Sequence, residues 1–155
     1  MTTTGCGCGG AGAPGAKLLA RVEHALDGVR RIGHDVVVQP ATAVPVDLEL
    51  HVCAAAGYQR GHVYDAVRRA VLALFAHDAV TFGDPVRISR VVAAAAAVAG
   101  VTSVTVTRLR RLFAPDAGEL DDGLLRIGPL EVAQLDDDRD RPENGRLHIE
   151  IGGGR

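Results

Sequence analysis

The segment 46-VDLELHV-52 alternates apolar and polar side chains over its whole length. In a β-strand, successive side chains point to opposite faces of the sheet. The apolar face of this strand would carry Val46, Leu48, Leu50 and Val52. The polar face would carry Asp47, Glu49 and His51. The alternation therefore predicts a strand with one face in a hydrophobic core and the other towards solvent.

Apolar residues at helical spacing predict three helices, one before this strand and two after it. The helices are expected over residues 16–32, 63–74 and 90–99. Gly33 and Gly100 are positioned to cap the first and third helices at their C-termini. Ser89 is positioned to cap the third helix at its N-terminus.

Further extended or β-branched segments occur at residues 35–39, 101–109, 124–127, 130–135 and 146–151. The resulting order is one helix, two strands, two helices, and three or four strands. This order favours an α+β fold, with a mainly antiparallel or mixed sheet and about three helices packed on one face. We expect a single domain over residues 16–155, preceded by a disordered glycine-rich tail over residues 1–15.

The amino-acid composition argues against several classes of function. The net charge is −2, aromatic residues make up 3% of the chain, and tryptophan is absent. These features argue against a nucleic-acid-binding surface, which needs basic and stacking side chains. Three cysteines form no disulfide framework, and neither a signal peptide nor a membrane span is visible. We therefore expect a soluble protein of a reducing compartment that binds neither nucleic acid nor membrane.

Charge is unevenly distributed along the chain. Residues 1–115 carry 12 basic and 8 acidic side chains, a net charge of +4. Residues 116–150 carry 4 basic and 11 acidic side chains, a net charge of −7. Charges of opposite sign can pair within one molecule or between neighbouring subunits.

The polar strand face is the best candidate for a metal site. Asp47, Glu49 and His51 share that face, and His148 and Glu150 share a face of the last predicted strand. If the two strands were neighbours, these groups would converge in a metal-binding module or a metal-dependent enzyme. Alternation alone already requires polar residues at these positions, so a solvated sheet face is the favoured interpretation.

The segment 135-LDDDRDRPENG-145 places three aspartates two residues apart. An EF-hand counted from Asp136 needs glycine at its sixth position and glutamate at its twelfth, where this chain has Arg141 and Leu147. The segment is better interpreted as a polar hairpin turn that closes on Asn144-Gly145. We predict neither a metal nor a cofactor here.

No catalytic constellation is apparent. Ser89 and Ser103 are the only serines, and neither lies in a nucleophile elbow. His62 and His77 show no informative spacing to a carboxylate. We therefore predict that the protein is not an enzyme.

Several blocks occur together in a recognisable order. They are the strand that ends in Gly57-Tyr58, the 82-FGDP-85 turn, the Gly100-Val101 junction and 142-PENG-145. Over residues 18–153 this order resembles the C-terminal region of baseplate J-like proteins, the baseplate assembly proteins of contractile phage tails and related injection particles. Members are generally longer, with preceding domains, so this chain is also compatible with a separately encoded piece or a fragment.

The resemblance implies a structural role in the wedge of the baseplate, with other baseplate and tail proteins as partners. Self-association is a further expectation, as is assembly in the cytoplasm before incorporation into a tail. No catalytic residues are implied. A free-standing interaction adaptor is the remaining alternative. The expected contact residues are the charged positions Arg108, Arg110, Arg111, Asp121, Asp122, Asp136, Asp137 and Asp138.

Overall fold

The computed structural model of the protein describes residues 15–31, 33 and 35–155. The chain divides into two compact units, Met1–Thr42 and Ala43–Arg155. The first unit contains helix α1, Ala16–Asp27, none of whose residues is buried. This helix ends before Gly28, several residues short of the predicted end. The predicted tail falls almost wholly outside the described residues.

Residues 35–41, between α1 and the first strand, form neither helix nor strand. The strand predicted at 35–39 is therefore wrong. Strand β1, Thr42–Ala54, begins directly afterwards and is longer than its alternating segment suggests. Its apolar side chains Val46, Leu48, Leu50 and Val52 are completely buried, which confirms the predicted inner face.

The sheet is built around β1. Strand β3, Val101–Arg111, pairs with β1 in antiparallel orientation, and strand β6, Arg146–Gly153, pairs with its other edge in parallel orientation. Strand β5, Glu131–Gln134, also pairs with β1. Two short strands, β2 (Val86–Arg87) and β4 (Leu124–Leu125), form a separate antiparallel pair. The sheet is mixed, and the predicted α+β class is confirmed.

Helices α2, Arg60–Ala73, and α3, Ile88–Ala96, provide the apolar residues that pack against β1. Val63, Val67 and Val71 of α2 follow one another at helical spacing and are almost inaccessible to solvent. Each fully buried Val or Leu contributes about 1.5–3 kcal/mol relative to an exposed side chain. The inner face of β1 and these two helices therefore provide most of the core.

Several local predictions about helices are wrong. The C-caps of α1 and α3 are Gly28 and Ala97, and not the predicted Gly33 and Gly100. Helix α3 begins at Ile88 with Arg87 as its N-cap, so Ser89 lies inside the helix and does not cap it. A short helix α4, Glu119–Asp122, forms where a loop was expected. Its N-cap Gly118 and C-cap Gly123 both have a left-handed backbone.

The acidic segment before β6 is not a hairpin turn. A hairpin would make β5 and β6 antiparallel neighbours, whereas both strands pair with β1. Residues Pro142–Asn144 form one turn of 3-10 helix, and Gly145 leads directly into β6. The connection thus places β6 parallel to the central strand.

Candidate interaction surface

The outer face of the sheet carries rows of charged residues across three strands. In each row the β1 residue lies between a partner on β3 and a partner on β6. The three rows are Arg110–Asp47–Arg146, Arg108–Glu49–His148 and Thr105–His51–Glu150. We call these nine residues the open sheet face. In the first two rows a carboxylate of β1 lies opposite an arginine of β3, an arrangement that stabilises cross-strand pairs.

Direct ion pairs connect β3 to β1 on this face. Both the Nε and an Nη atom of Arg110 contact one carboxylate oxygen of Asp47, at 2.9 and 2.8 Å. An Nη atom of Arg108 lies 2.9 Å from a carboxylate oxygen of Glu49. The Asp47 side chain is only 9% exposed, whereas that of Arg110 is 36% exposed. The arginines thus cover the carboxylates and still reach solvent.

This difference in exposure predicts an asymmetric response to mutation. Arg110→Ala leaves the Asp47 carboxylate almost buried without its cationic partner, and we expect it to cost about 2 kcal/mol of unfolding free energy. Asp47→Ala leaves a guanidinium that reaches water, and we expect it to cost about 1 kcal/mol. Urea denaturation of both single variants and of the double variant measures these changes in unfolding free energy. A larger cost for Asp47→Ala would contradict the interpretation.

The same geometry bears on the metal alternative. The strands that carry Glu49 and His148 are neighbours, as that alternative requires. However, Asp47 and Glu49 are both paired with arginines. Across the described part of the chain, no group of three or more histidine, cysteine, aspartate or glutamate residues is arranged to hold a metal ion. The arrangement therefore favours a charged protein surface over a metal centre.

Arg111, the third predicted arginine, pairs with a different strand. Its two Nη atoms contact the two carboxylate oxygens of Glu131 on β5, at 3.0 and 2.7 Å. The backbone N–H of Gly128 donates to the same carboxylate at 2.8 Å. These hydrogen bonds, that of Arg111 first, lower the pKa of Glu131 from 4.5 to about 2. The bidentate pair joins the end of β3 to the start of β5.

The lowered pKa of Glu131 predicts a pH-dependent contribution to stability. Because the folded state holds this carboxylate ionised, the contribution is complete above the unfolded pKa near 4.5 and is lost as the pH falls towards 2. Glu131→Gln cannot be protonated in this way, so its unfolding free energy should fall by about 1 kcal/mol less than that of the unchanged chain over this pH interval. This value allows for solvent screening. Thermal unfolding at several pH values measures it. Glu150→Gln, at an exposed position, is the control and should leave the pH profile unchanged.

The predicted aspartates of the acidic turn contact separate partners. Asp136 accepts hydrogen bonds from Asn144 Nδ2 at 2.7 Å and from Gln134 Nε2 at 2.8 Å. The Asp137 carboxylate accepts from Arg68 Nε on α2 at 2.9 Å and from the backbone N–H of Leu147 at 3.1 Å. The Asp138 carboxylate accepts from the nearby backbone N–H of Asp140 at 2.9 Å.

Asp137 is the conformational centre of this turn. Its φ of 50° makes it the one non-glycine residue with positive φ in the described chain. Aspartate tolerates this conformation better than most residues, and here both carboxylate oxygens are used. Beside it, the turn and α2 line a groove of about 730 Å³ that includes Tyr64, Arg68 and Arg139. The turn is thus fastened to the helical layer.

Asp121 and Asp122 lie in α4 and are exposed. Asp122 makes a long contact of 3.4 Å with Arg126, and both side chains are more than half exposed. Such a pair contributes little to stability. The structure therefore separates the predicted contact residues into several places: Arg108 and Arg110 on the open sheet face, Arg111 at β5, and the aspartates in two loops.

Sequence analysis missed the partners of these residues. Arg68, Glu131 and Asn144 each bond to a predicted contact residue. Arg68 shows only the polar side of an amphipathic helix, and Glu131 lies in a short strand without a motif. Neither has a local signal, because the pairing depends on which elements become neighbours.

A family comparison identifies the domain built around this sheet. Residues 46–121 match the model of the baseplate J-like protein C-terminal domain. Residues 46–121 thus form a domain of the baseplate J-like family. The matched region runs from β1 through α4 and includes the central strand, both core helices and β3. The resemblance in the sequence is therefore confirmed at the level of the family.

Family membership indicates a structural role in a phage tail baseplate, together with other baseplate or tail proteins. A comparison with curated proteins finds no match for this baseplate J-like chain. None of the described helices is long and apolar enough to cross a membrane.

Proposed function

We propose that this chain is a component of the wedge of a contractile-tail baseplate and acts through contacts between subunits, without catalysis. The match to the baseplate J-like C-terminal domain carries this proposal. A stable core with a charged outer sheet face suits a part that is held by neighbours. Incorporation into the particle would follow assembly in the cytoplasm.

The open sheet face is the proposed principal contact. Helices α2 and α3 pack on the inner face of β1, while Thr105, Arg146, His148 and Glu150 on the outer face are exposed. Arg108 and Arg110 are held in position by β1 carboxylates and still reach solvent. Charges fixed in advance lose little conformational entropy on binding, and they favour one orientation of the partner.

The other predicted contact residues have different roles in this proposal. Asp121 and Asp122 belong to an exposed acidic helix that a basic partner surface can approach. Arg111, Asp136 and Asp137 bond within the chain, so we assign them to positioning the loops that surround the contact. Asp138 remains exposed at the acidic turn.

Co-purification tests the proposal. The tagged chain is expressed together with the sheath, tube and other tail proteins encoded beside it, and retention is compared at low and high salt. We expect Arg108→Glu to reduce retention of a partner by about tenfold, because a reversed charge on a contact surface opposes the partner. Retention should also fall with ionic strength.

Arg69→Glu is the matched control. Arg69 is an exposed arginine on α2, in the helical layer that packs against the inner face of β1. This variant should retain partners as the unchanged chain does. If no tail protein is retained at low salt, the wedge proposal is wrong. If both variants lose binding equally, the open sheet face is not the contact.

A further inference from the structure

Exposed apolar side chains are concentrated at one end of the second unit. Phe113 is 74% exposed, Phe82 is 58% exposed and Leu130 is 49% exposed. The chain has only three phenylalanines, so two of its three are on the surface instead of in the core. Large exposed aromatic residues are typical of protein–protein contacts, where they supply much of the binding energy.

Hydrogen bonds show that these residues lie at the same end. The backbone N–H of Gly83, next to Phe82, donates to the carbonyl of Glu131, next to Leu130, at 3.1 Å. Glu131 in turn binds Arg111, two residues before Phe113. We call Phe82, Phe113, Leu120 and Leu130 the apolar end, since Leu120 of α4 is also exposed and α4 contacts β3.

The apolar end is bordered by negative charge. Residues 112–125 contain four acidic residues and no basic residue. The acidic residues are Asp116, Glu119, Asp121 and Asp122. Only Asp122 has an ion pair within this stretch of the described chain, the long contact to Arg126. A partner for this surface would therefore combine apolar and basic side chains.

Helix α1 has this combination. Leu18, Val22 and Leu26 follow one face of the helix at helical spacing and are 37–50% exposed. By helical geometry Lys17 and Arg21 lie to one side of that face, and Glu23 and Asp27 lie to the other. Within residues 15–31 neither Lys17 nor Arg21 forms an ion pair. An amphipathic helix of 12 residues needs such burial, because isolated helices of this length are marginal in water.

We propose that α1 of one copy docks on the apolar end of a second copy, with its basic flank towards the acidic residues of α4. This inference rests on the wedge proposal and specifies one of its contacts. Residues 28–41, which follow α1, can extend over about 45 Å, enough to reach a neighbouring molecule. The contact is heterologous, so repetition generates a ring or a longer chain of copies.

Complementation between two variants of the full chain tests this contact. Val22→Asp places a charge in the apolar face of α1, and Phe113→Asp places one in the apolar end. Both positions are exposed, so neither change should disturb folding, which circular dichroism checks. We expect light scattering to show a mass above that of the monomer for the unchanged chain at high concentration, and monomers for each variant alone.

The decisive measurement is an equimolar mixture of the two variants. One variant retains an intact apolar end and the other retains an intact α1, so exactly one contact can form in each pair. The mixture should therefore reach twice the monomer mass. Val37→Asp, at a position that is 72% exposed between α1 and β1, is the control and should associate as the unchanged chain does.

Three outcomes overturn the inference: an unchanged chain that stays monomeric, a variant that still self-associates alone, or a mixture that stays monomeric. Phe113→Ser replaces Phe113→Asp if the charged variant misfolds. A monomeric chain that still retains tail proteins would refute this contact alone. A chain that self-associates as described but retains no tail protein would refute the wedge proposal alone.

Discussion

Gly145→Ala should lower the unfolding free energy by about 3 kcal/mol or more, which corresponds to a fall in Tm of about 10 °C. Gly145 has φ 112° and ψ 155°, a backbone conformation that is nearly restricted to glycine. An added Cβ would lie 2.8 Å from the carbonyl oxygen of Gln134 and 3.0 Å from that of Val46. Because both contacts are backbone atoms of neighbouring strands, they cannot move aside without disturbing the sheet.

Gly118→Ala is the matched control for this change. Gly118 also has a positive φ, of 89°, but no atom lies within 4 Å of the position of an added Cβ. Its replacement should cost only about 1 kcal/mol, the conformational part alone. Thermal and urea unfolding measure both variants. Equal costs would show that β5, β1 and the start of β6 do not approach one another as closely as the structure places them.

Leu50→Ala should cost about 3 kcal/mol, the second large effect. Leu50 is completely buried on β1, between paired residues of β3 and β6. Truncation removes apolar contacts with the helical layer and leaves a cavity that a central strand cannot close, since both of its edges are paired. Urea unfolding with an unchanged m-value would show that the loss is one of stability.

Leu130→Ala provides the comparison at an exposed leucine. Leu130 is 49% exposed, so its truncation should cost less than about 1 kcal/mol. The difference between the two leucines tests the predicted inner face of β1 directly. A cost below about 1 kcal/mol for Leu50→Ala would mean that this residue is not in the core.

The sequence predicts well those features that repeat locally. The alternation at residues 46–52 is enough to assign β1 and both of its faces, because side-chain direction in a strand has a period of two. The helical spacing of Val63, Val67 and Val71 similarly identifies α2 and its buried side. The predicted helix at 90–99 exists as α3, although it begins and ends earlier.

Predictions fail where one local signal has several structural outcomes. Asn144-Gly145 is typical of a tight hairpin, yet here the glycine permits a close approach of three backbone segments at the start of a parallel strand. Residues 35–39 contain valines but have no strand partner in the described chain. A strand is stabilised by its neighbour, so its own composition is not sufficient.

The candidate interaction surface is also only partly predictable from the sequence. Its charged residues are visible in the sequence, whereas their pairing is not: Arg110 and Asp47 are 63 positions apart, and Arg68 and Asp137 are 69 apart. The exposed apolar end has no sequence signal either, because Phe82 and Phe113 are indistinguishable from core residues until their neighbours are known.

By itself, the order of residues determined the α+β class, the two faces of the central strand, the core helix α2 and the resemblance to the baseplate J-like family. Only the tertiary structure decided that β6 lies parallel to β1, that Arg111 binds Glu131, and that the charged rows span three strands. The physical reason is the distance along the chain between the residues that interact. Periodic burial is set by the local geometry of one element, whereas ion pairs and strand neighbours depend on the register between distant elements.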